Sequence, residues 1–263
     1  MARSSDRTPP IAAEIAALTA AIELDSPQTL PLDKSYDSLD RLEDFFFAHL
    51  EDQLDANVGS YVGETLVANT GARWDPPRKA DDRGRWGVIA LPLIPKARFQ
   101  PARVMMNVRR GRATLGLRDR TERYDIPHRR AALEALIANR ERELEGLRDD
   151  LVELVGTAPA ALDGGDETVA VLEQALKQLV AIHAPQEQAR RVRTRVILLL
   201  GELVQRAIGG SWTVCEEYNN ADLGEFQSHG WAPSNVIRNI GPHRPPDLIK
   251  TELAMVIKER SNK

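Results

Sequence analysis

A fourteen-residue stretch that occurs twice constrains this chain more than any other feature. YVGETLVANTGARW (Tyr61–Trp74) and LLGELVQRAIGGSW (Leu199–Trp212) align at a fixed offset of 138 residues, which sets Gly63 on Gly201, Glu64 on Glu202, Gly71 on Gly209 and Trp74 on Trp212. The apolar residues follow the same register, with Val58, Tyr61, Val62 and Leu66 on Val196, Leu199, Leu200 and Val204. Phe99, Pro101, Val104 and Asn107 then fall on Trp231, Pro233, Val236 and Asn239 at an offset of 132, so the intervening loops differ by six residues. Self-similarity of this kind predicts a duplicated structural unit. The fold class expected is α+β, an internally duplicated helix–helix–strand–strand–helix unit with a long connecting helix. The expected layout is an N-terminal helix in 1–30, repeat unit 1 over 31–126, a long connecting helix and linker over 127–165, repeat unit 2 over 166–245 and a C-terminal helix in 246–263.

Each conserved type within the repeat has a physical reading. A glycine inside a helix costs about 1 kcal/mol relative to alanine, so Gly63 and Gly201 at matched places predict close approach of another backbone. Gly71 and Gly209 can end their helices in the left-handed conformation. Trp74 and Trp212, directly after those turns, are expected to fold back over their helices as apolar anchors burying roughly 150–250 Å² each. These six residues are assigned structural roles. Glu64 and Glu202 are expected as partly buried carboxylates bonded to backbone donors or to an arginine. Alternatively they form a pair of acids brought together by pseudo-twofold symmetry, which could do general acid–base work or hold a cation.

Periodicity places the other elements. Ile11, Ile15, Leu18 and Ile22 share one helical face after Pro9 and Pro10. Ser38 can cap a helix carrying Leu39, Leu42, Phe46 and Leu50 on one side and Asp40, Glu43, Asp44, Glu51 and Asp52 on the other. Helices are expected at about 56–70, from Pro101, at 168–182, at 186–208, from Pro233 and at 246–260. Strands are expected at Trp74, Trp86–Leu93, Ala113–Leu117 and Trp212–Tyr218, and Asn219–Gly230 reads as a polar loop. Leu133, Ile137, Leu144, Leu147, Leu151 and Leu154 predict one long helix over 129–155, interrupted in its stripe by Arg140. That helix either packs across its own domain or mediates oligomerisation as a coiled coil.

Composition narrows the function classes. The net charge of −4 argues against a surface built throughout for nucleic acid. Cys215 is the only cysteine, so neither an intramolecular disulfide nor a cysteine-based metal site can form. The polar start Met1–Pro10 has no apolar signal core, and the longest apolar run, Val196–Leu200, is too short to span a bilayer. A cytoplasmic protein without membrane association is expected. No phosphate-binding glycine loop, His-Glu-x-x-His pair or Gly-x-Ser-x-Gly turn occurs. The five histidines, at 49, 128, 183, 229 and 243, are scattered, so no catalytic residue, metal site or cofactor is assigned.

Charge is unevenly spread. Arg73–Arg120 carries thirteen Lys/Arg against four Asp/Glu, and Asp33–Asp55 carries eight acids against two bases. The loop after Trp74 holds Arg83 and Arg85, whereas the matching loop after Trp212 holds Glu216, Glu217, Asp222 and Glu225. Either these charges form a self-complementary surface with salt bridges between the copies, or the loops bind a partner. The binding residues assigned are Glu64, Glu202, Arg83, Arg85, Glu216, Glu217, Tyr218 and Asp222.

The pattern in Tyr61–Trp74 and Leu199–Trp212 resembles a helix-to-strand motif of uncharacterised bacterial proteins, some of which are similar to immunity proteins encoded beside contact-dependent or secreted toxins. The resemblance covers about fourteen residues per copy and carries no catalytic residues. It implies a bacterial, non-catalytic protein that binds another protein, a toxin among the partners expected. An enzyme using Glu64 and Glu202, or a nucleic-acid-associated protein using the basic segment 73–120, are the alternatives.

Overall fold

In a computed structural model the described residues are 10–25, 30–77, 86–109, 116–217, 222–240 and 247–260. The chain divides into two compact units, Met1–Ile126 and Pro127–Lys263. Each is mostly helical with one two-stranded antiparallel sheet, which makes the class α+β.

The first unit contains α1 (Ile11–Asp25), α2 (Tyr36–Ala48), a 3-10 turn (Leu50–Asp52), α3 (Asp55–Thr70), β1 (Arg73–Asp75), β2 (Gly87–Ile89), α4 (Pro101–Arg109) and α5 (Leu117–Glu122). Its central helix is α3, whose Val58, Tyr61, Val62 and Leu66 are fully buried beneath α1 and α4. Leu18 and Ile22 of α1, and Val104, Met105 and Val108 of α4, supply the facing apolar rows. Tyr61 keeps its hydroxyl satisfied in this core by accepting from Lys34 N at 2.8 Å and sharing a 2.8 Å bond with Ser38 Oγ. Burial therefore pushes the Tyr61 phenol pKa up, against the lowering effect of those two bonds.

Local chemistry moves several boundaries. Ser35, not Ser38, caps α2. Its Oγ accepts from Ser38 N at 3.2 Å, while Ser38 Oγ donates back to Ser35 O at 2.7 Å. Leu50 falls in the 3-10 turn beyond α2, and Asp40 and Glu43 are buried rather than solvated. The strand expected over Trp86–Leu93 shrinks to three residues because Ala90 and Leu93 take positive φ, 63° and 62°. Ala113 lies outside the described residues, and Leu117 opens helix α5 instead of closing a strand.

α6 (Ile126–Ala138) begins at the last residue of the first unit. The second unit continues with α7 (Arg140–Val155), α8 (Asp166–Ala181), α9 (Gln186–Ile208), β3 (Trp212–Val214), β4 (Phe226–Ser228), α10 (Ser234–Asn239) and α11 (Leu248–Arg260). Its central helix is α9, with Val192, Val196, Leu199, Leu200 and Val204 at the middle of a cluster that α7, α8, α10 and α11 complete. The helix expected over 129–155 is two helices, interrupted at Asn139 (φ −104°, ψ 14°) just before the exposed Arg140. The charged residue in the stripe marks the place where the apolar rows separate. Leu133 and Leu136 pack with Leu198 and Phe226, whereas Leu147 and Leu151 join the main cluster. Leu133, Leu147 and Leu151 of the stripe are thus buried within their own unit, and Ile137, Leu144 and Leu154 are half-buried. Arg195 of α9 fixes α7 from the side. Its guanidinium lies over Gly146, where a Cβ would come within 2.6 Å of it, and it bonds Glu143 at 3.0 Å and Asp150 at 2.7 Å.

β3 ends at Val214, earlier than Tyr218, which lies outside the described residues. β4 lies within the segment read as loop and pairs with β3 through Trp212↔Ser228, Thr213↔Gln227 and Val214↔Phe226. No helix among the described residues is long and apolar enough to cross a membrane.

Leu147→Ala should destabilise the second unit by about 2–5 kcal/mol, the range for truncating a packed leucine. Val152→Ala, at a position 52% exposed, should stay within about 0.5 kcal/mol. Urea unfolding followed by circular dichroism measures both. Equal effects would contradict the packing described for α7.

Candidate functional site

The repeated residues assemble one local arrangement in each unit. In the first, α3 ends at Gly71 with φ 69°, the chain reverses into β1, and the Trp74 ring returns onto the helix surface at Gly63. A methyl group on Gly63 would overlap that ring and come within 2.9 Å of Pro101 Cγ. The indole N–H of Trp74 donates to Glu64 Oε2 at 3.0 Å, and Glu64 Oε1 receives Lys34 Nζ at 3.2 Å. Trp74 stands opposite Val88 in the hairpin, and Val88 exchanges two backbone hydrogen bonds with Phe99, at 2.8 and 2.9 Å. Phe99 leads into α4 two residues before Pro101.

In the second unit α9 ends at Gly209 with φ 76°, and the Trp212 ring lies over Gly201, where a methyl group would again overlap it. The indole N–H donates to Glu202 Oε1 at 3.1 Å. Trp212 stands opposite Ser228, which exchanges backbone bonds with Trp231 at 2.8 and 3.0 Å and donates its hydroxyl to Gly201 O at 3.0 Å.

Two expectations change. The partner pressed against Gly63 and Gly201 is the indole ring, not a backbone. The donor engaging Glu64 and Glu202 is the indole N–H, not an arginine or backbone amide. Glu64 belongs to the first unit and Glu202 to the second, each half-buried beside its own tryptophan. A carboxylate accepting an indole N–H, and in the first unit also an ammonium, holds a side chain in place. Among the described residues no group of three His, Cys, Asp or Glu side chains is arranged to hold a metal ion.

The loop residues sort differently. Arg83, Arg85 and Tyr218 lie outside the described residues. Glu216 pairs with Arg130 of α6, whose Nε donates at 2.7 Å. Glu217 is exposed beyond β3, and Asp222 is half-buried ahead of β4. The base of this hairpin is anchored by Arg129, which lies 3.9 Å over the Phe226 ring and donates to Gly224 O at 2.8 Å. Cys215 is buried there, donating its N–H to Glu225 O and accepting from Gly224 N.

Three arginines of the basic segment 73–120 are engaged within their own unit. Arg98 bonds Asp75 at 3.0 Å, Arg109 bonds Asp55, and Arg118 bonds Asp37, Asp40 and Glu122. Burial opposes the charge on Arg118, but Glu122, Asp40 and Asp37 outweigh it and push the pKa up. The pairs with Asp55, Asp37 and Asp40 join the acidic stretch 33–55 to the basic stretch within one unit. Missed from sequence was the polar face of α2. Tyr36 donates to Asp125 Oδ2 at 2.9 Å, and Glu43 accepts from Leu117 N. Burial first, and Asp125 second, raise the Tyr36 pKa. The signal was the spacing of Tyr36, Asp40 and Glu43 by four and three, one helical face.

Comparison with protein-family models, with curated proteins and with solved structures finds no match.

Gly63→Ala and Gly201→Ala should each destabilise the protein, by about 1–3 kcal/mol from overpacking, although the same change in an open helix stabilises by about 1 kcal/mol. In a Trp212→Ala background, Gly201→Ala should turn neutral or stabilising. A double-mutant cycle by chemical denaturation reads the sign change, and a penalty that persists without the ring would show that the contact is not its cause.

Proposed function

We propose that this chain is a non-catalytic protein-binding protein made of two copies of one unit, and that it acts in the bacterial cytoplasm as an immunity protein occluding a toxin. What supports duplication is the shared order of parts. A glycine-seated tryptophan, a hairpin pairing, an aromatic residue bridged to the hairpin and a helix beginning at or just after a proline recur in each unit. The 132-residue offset continues to Leu117 and Ile249, each sixteen residues after its proline and each fully buried.

One observation carries the binding reading. Glu64 and Glu202, the acids that an enzyme of this design would need, serve as acceptors for structural indoles. The loops held by the same arrangement differ in charge, with Arg83 and Arg85 in one and Glu216, Glu217 and Asp222 in the other. A rigid support carrying divergent loops suits recognition of a protein surface. The nucleic-acid alternative is weaker because Arg98, Arg109 and Arg118 already face carboxylates.

Affinity purification of the full chain from native extract should recover one stoichiometric protein, and co-expression with that protein should relieve any growth arrest it causes. Glu217→Lys should cut its retention at least tenfold with an unchanged circular dichroism spectrum. Glu64→Gln and Glu202→Gln should leave retention intact, since a carboxamide oxygen still accepts the indole N–H. Recovery of no protein, or of salt-sensitive nucleic acid alone, overturns the proposal.

A further inference from the structure

The two helices that close the units, α5 and α11, share a feature that the repeat motif does not contain. A buried glutamate from the first repeat helix reaches the backbone at the start of the closing helix. In the first unit Glu43 of α2 accepts from Leu117 N. In the second, Glu173 of α8 accepts from Asp247 N at 3.0 Å with Oε2 and from Ile249 N at 2.8 Å with Oε1. These bonds span 74 residues in the first unit, and 74 and 76 in the second.

The start of α11 is met by a side chain from another helix. No acidic residue stands in its first turn. Asp247, immediately before it, has φ 66°, whereas a residue that caps through its own side chain has extended backbone. The positive end of the helix dipole and two of its N–H groups are met instead by Glu173, which is only 5% exposed. Beyond that cap the buried residues of α11, Ile249, Leu253 and Val256, lie on the face it turns to α8, α9 and α10, with Leu248 packed beside them, while Met255 on another side is 44% exposed. The Lys250–Asp166 ion pair joins side chains that are 53% and 81% exposed, so it holds little. By contrast α9 is gripped from several sides by α7, α8, α10 and α11.

We propose that α11 is a clasp that opens as a unit while α7–α9 stay folded, and that Glu173 sets how often it opens. A helix buried along one face and exposed along the rest belongs to the low end of local opening free energies. Loss of both bonds leaves two N–H groups and the helix dipole without their carboxylate. Opening uncovers the apolar surface of α8 and α9 beneath Ile249, Leu253 and Val256. This reading needs only the geometry of the second unit and stands whether or not the two units share an origin.

Amide hydrogen exchange of the full chain, read by mass spectrometry on wild type, Glu173→Gln and Glu173→Ala, tests it. In Glu173→Ala the amides of 250–260 should exchange about tenfold faster or more, with those of 192–204 unchanged. Glu173→Gln, whose single carboxamide oxygen can replace only one of the two acceptors, should fall between. Equal protection of 250–260 in all three proteins overturns the clasp, as does a parallel rise in both segments. If Glu173→Ala fails to fold, the ratio of the two segments in Glu173→Gln decides alone. A null result here leaves the partner-binding proposal untouched, because that is read by retention of a protein.

Discussion

A tryptophan ring seated on a helical glycine, with its N–H on the adjacent glutamate, is the interaction around which each unit is organised. It ties four consecutive pieces of chain together. The helix provides the glycine and the acid, and a glycine at positive φ turns the chain, left-handed helical at Gly71 (ψ 12°) but extended in ψ at Gly209 (ψ −158°), where the left-handed conformation was expected. The tryptophan opens the first strand, and the residue opposite it in the hairpin carries the aromatic that leads into the next helix. A hairpin of three-residue strands is marginal by itself. Here the ring provides the apolar burial that such a hairpin lacks, and the carboxylate fixes its orientation. Glycine is required for a steric reason distinct from backbone freedom, because Gly63 and Gly201 lie in ordinary helix.

Sequence patterns revealed this arrangement unevenly. The glycine turns after α3 and α9 and the strands opened by Trp74 and Trp212 were legible because each depends on residues next to one another in the chain. What pressed on Gly63 and Gly201 was not legible in kind. A missing side chain tells that something is close, and only the folded chain distinguishes an indole from a backbone. β4 was hidden because Phe226-Gln227-Ser228 is too short for alternation to register and sits among turn residues. The interruption at Asn139 was present as Arg140 in the leucine stripe, but one polar residue in a stripe is equally compatible with a continuous helix.

The acidic face of α2 carries a further lesson about charge. Alternating acids and apolar residues describe an amphipathic surface helix, and Leu39, Leu42 and Phe46 fit that pattern. Asp40 and Glu43 are nevertheless 4% and 2% exposed, because α5 supplies Arg118 and the Leu117 N–H to meet them. Buried ionic groups are tolerable when matched and very costly when one partner is removed. The excess of arginine after residue 73 and the excess of acid before residue 55 are therefore in part a single internal feature. Segment charge counts alone misread such pairs as two surfaces awaiting partners.

This internal pairing sharpens where recognition can reside. Charges engaged within the first unit are unavailable without the cost of separating them, which leaves the hairpin loops and the edges of each unit. In the second unit Arg129 and Arg130 of α6 grip the base of the β3–β4 hairpin, through Gly224, Phe226 and Glu216. A loop fixed at its base and charged beyond it has little conformational entropy to lose at the base when a partner arrives, and preorganisation of this kind favours binding. Glu64 and Glu202 each orient an indole ring, so the residues that recur in the two stretches hold local shape, while the hairpin loops differ in charge.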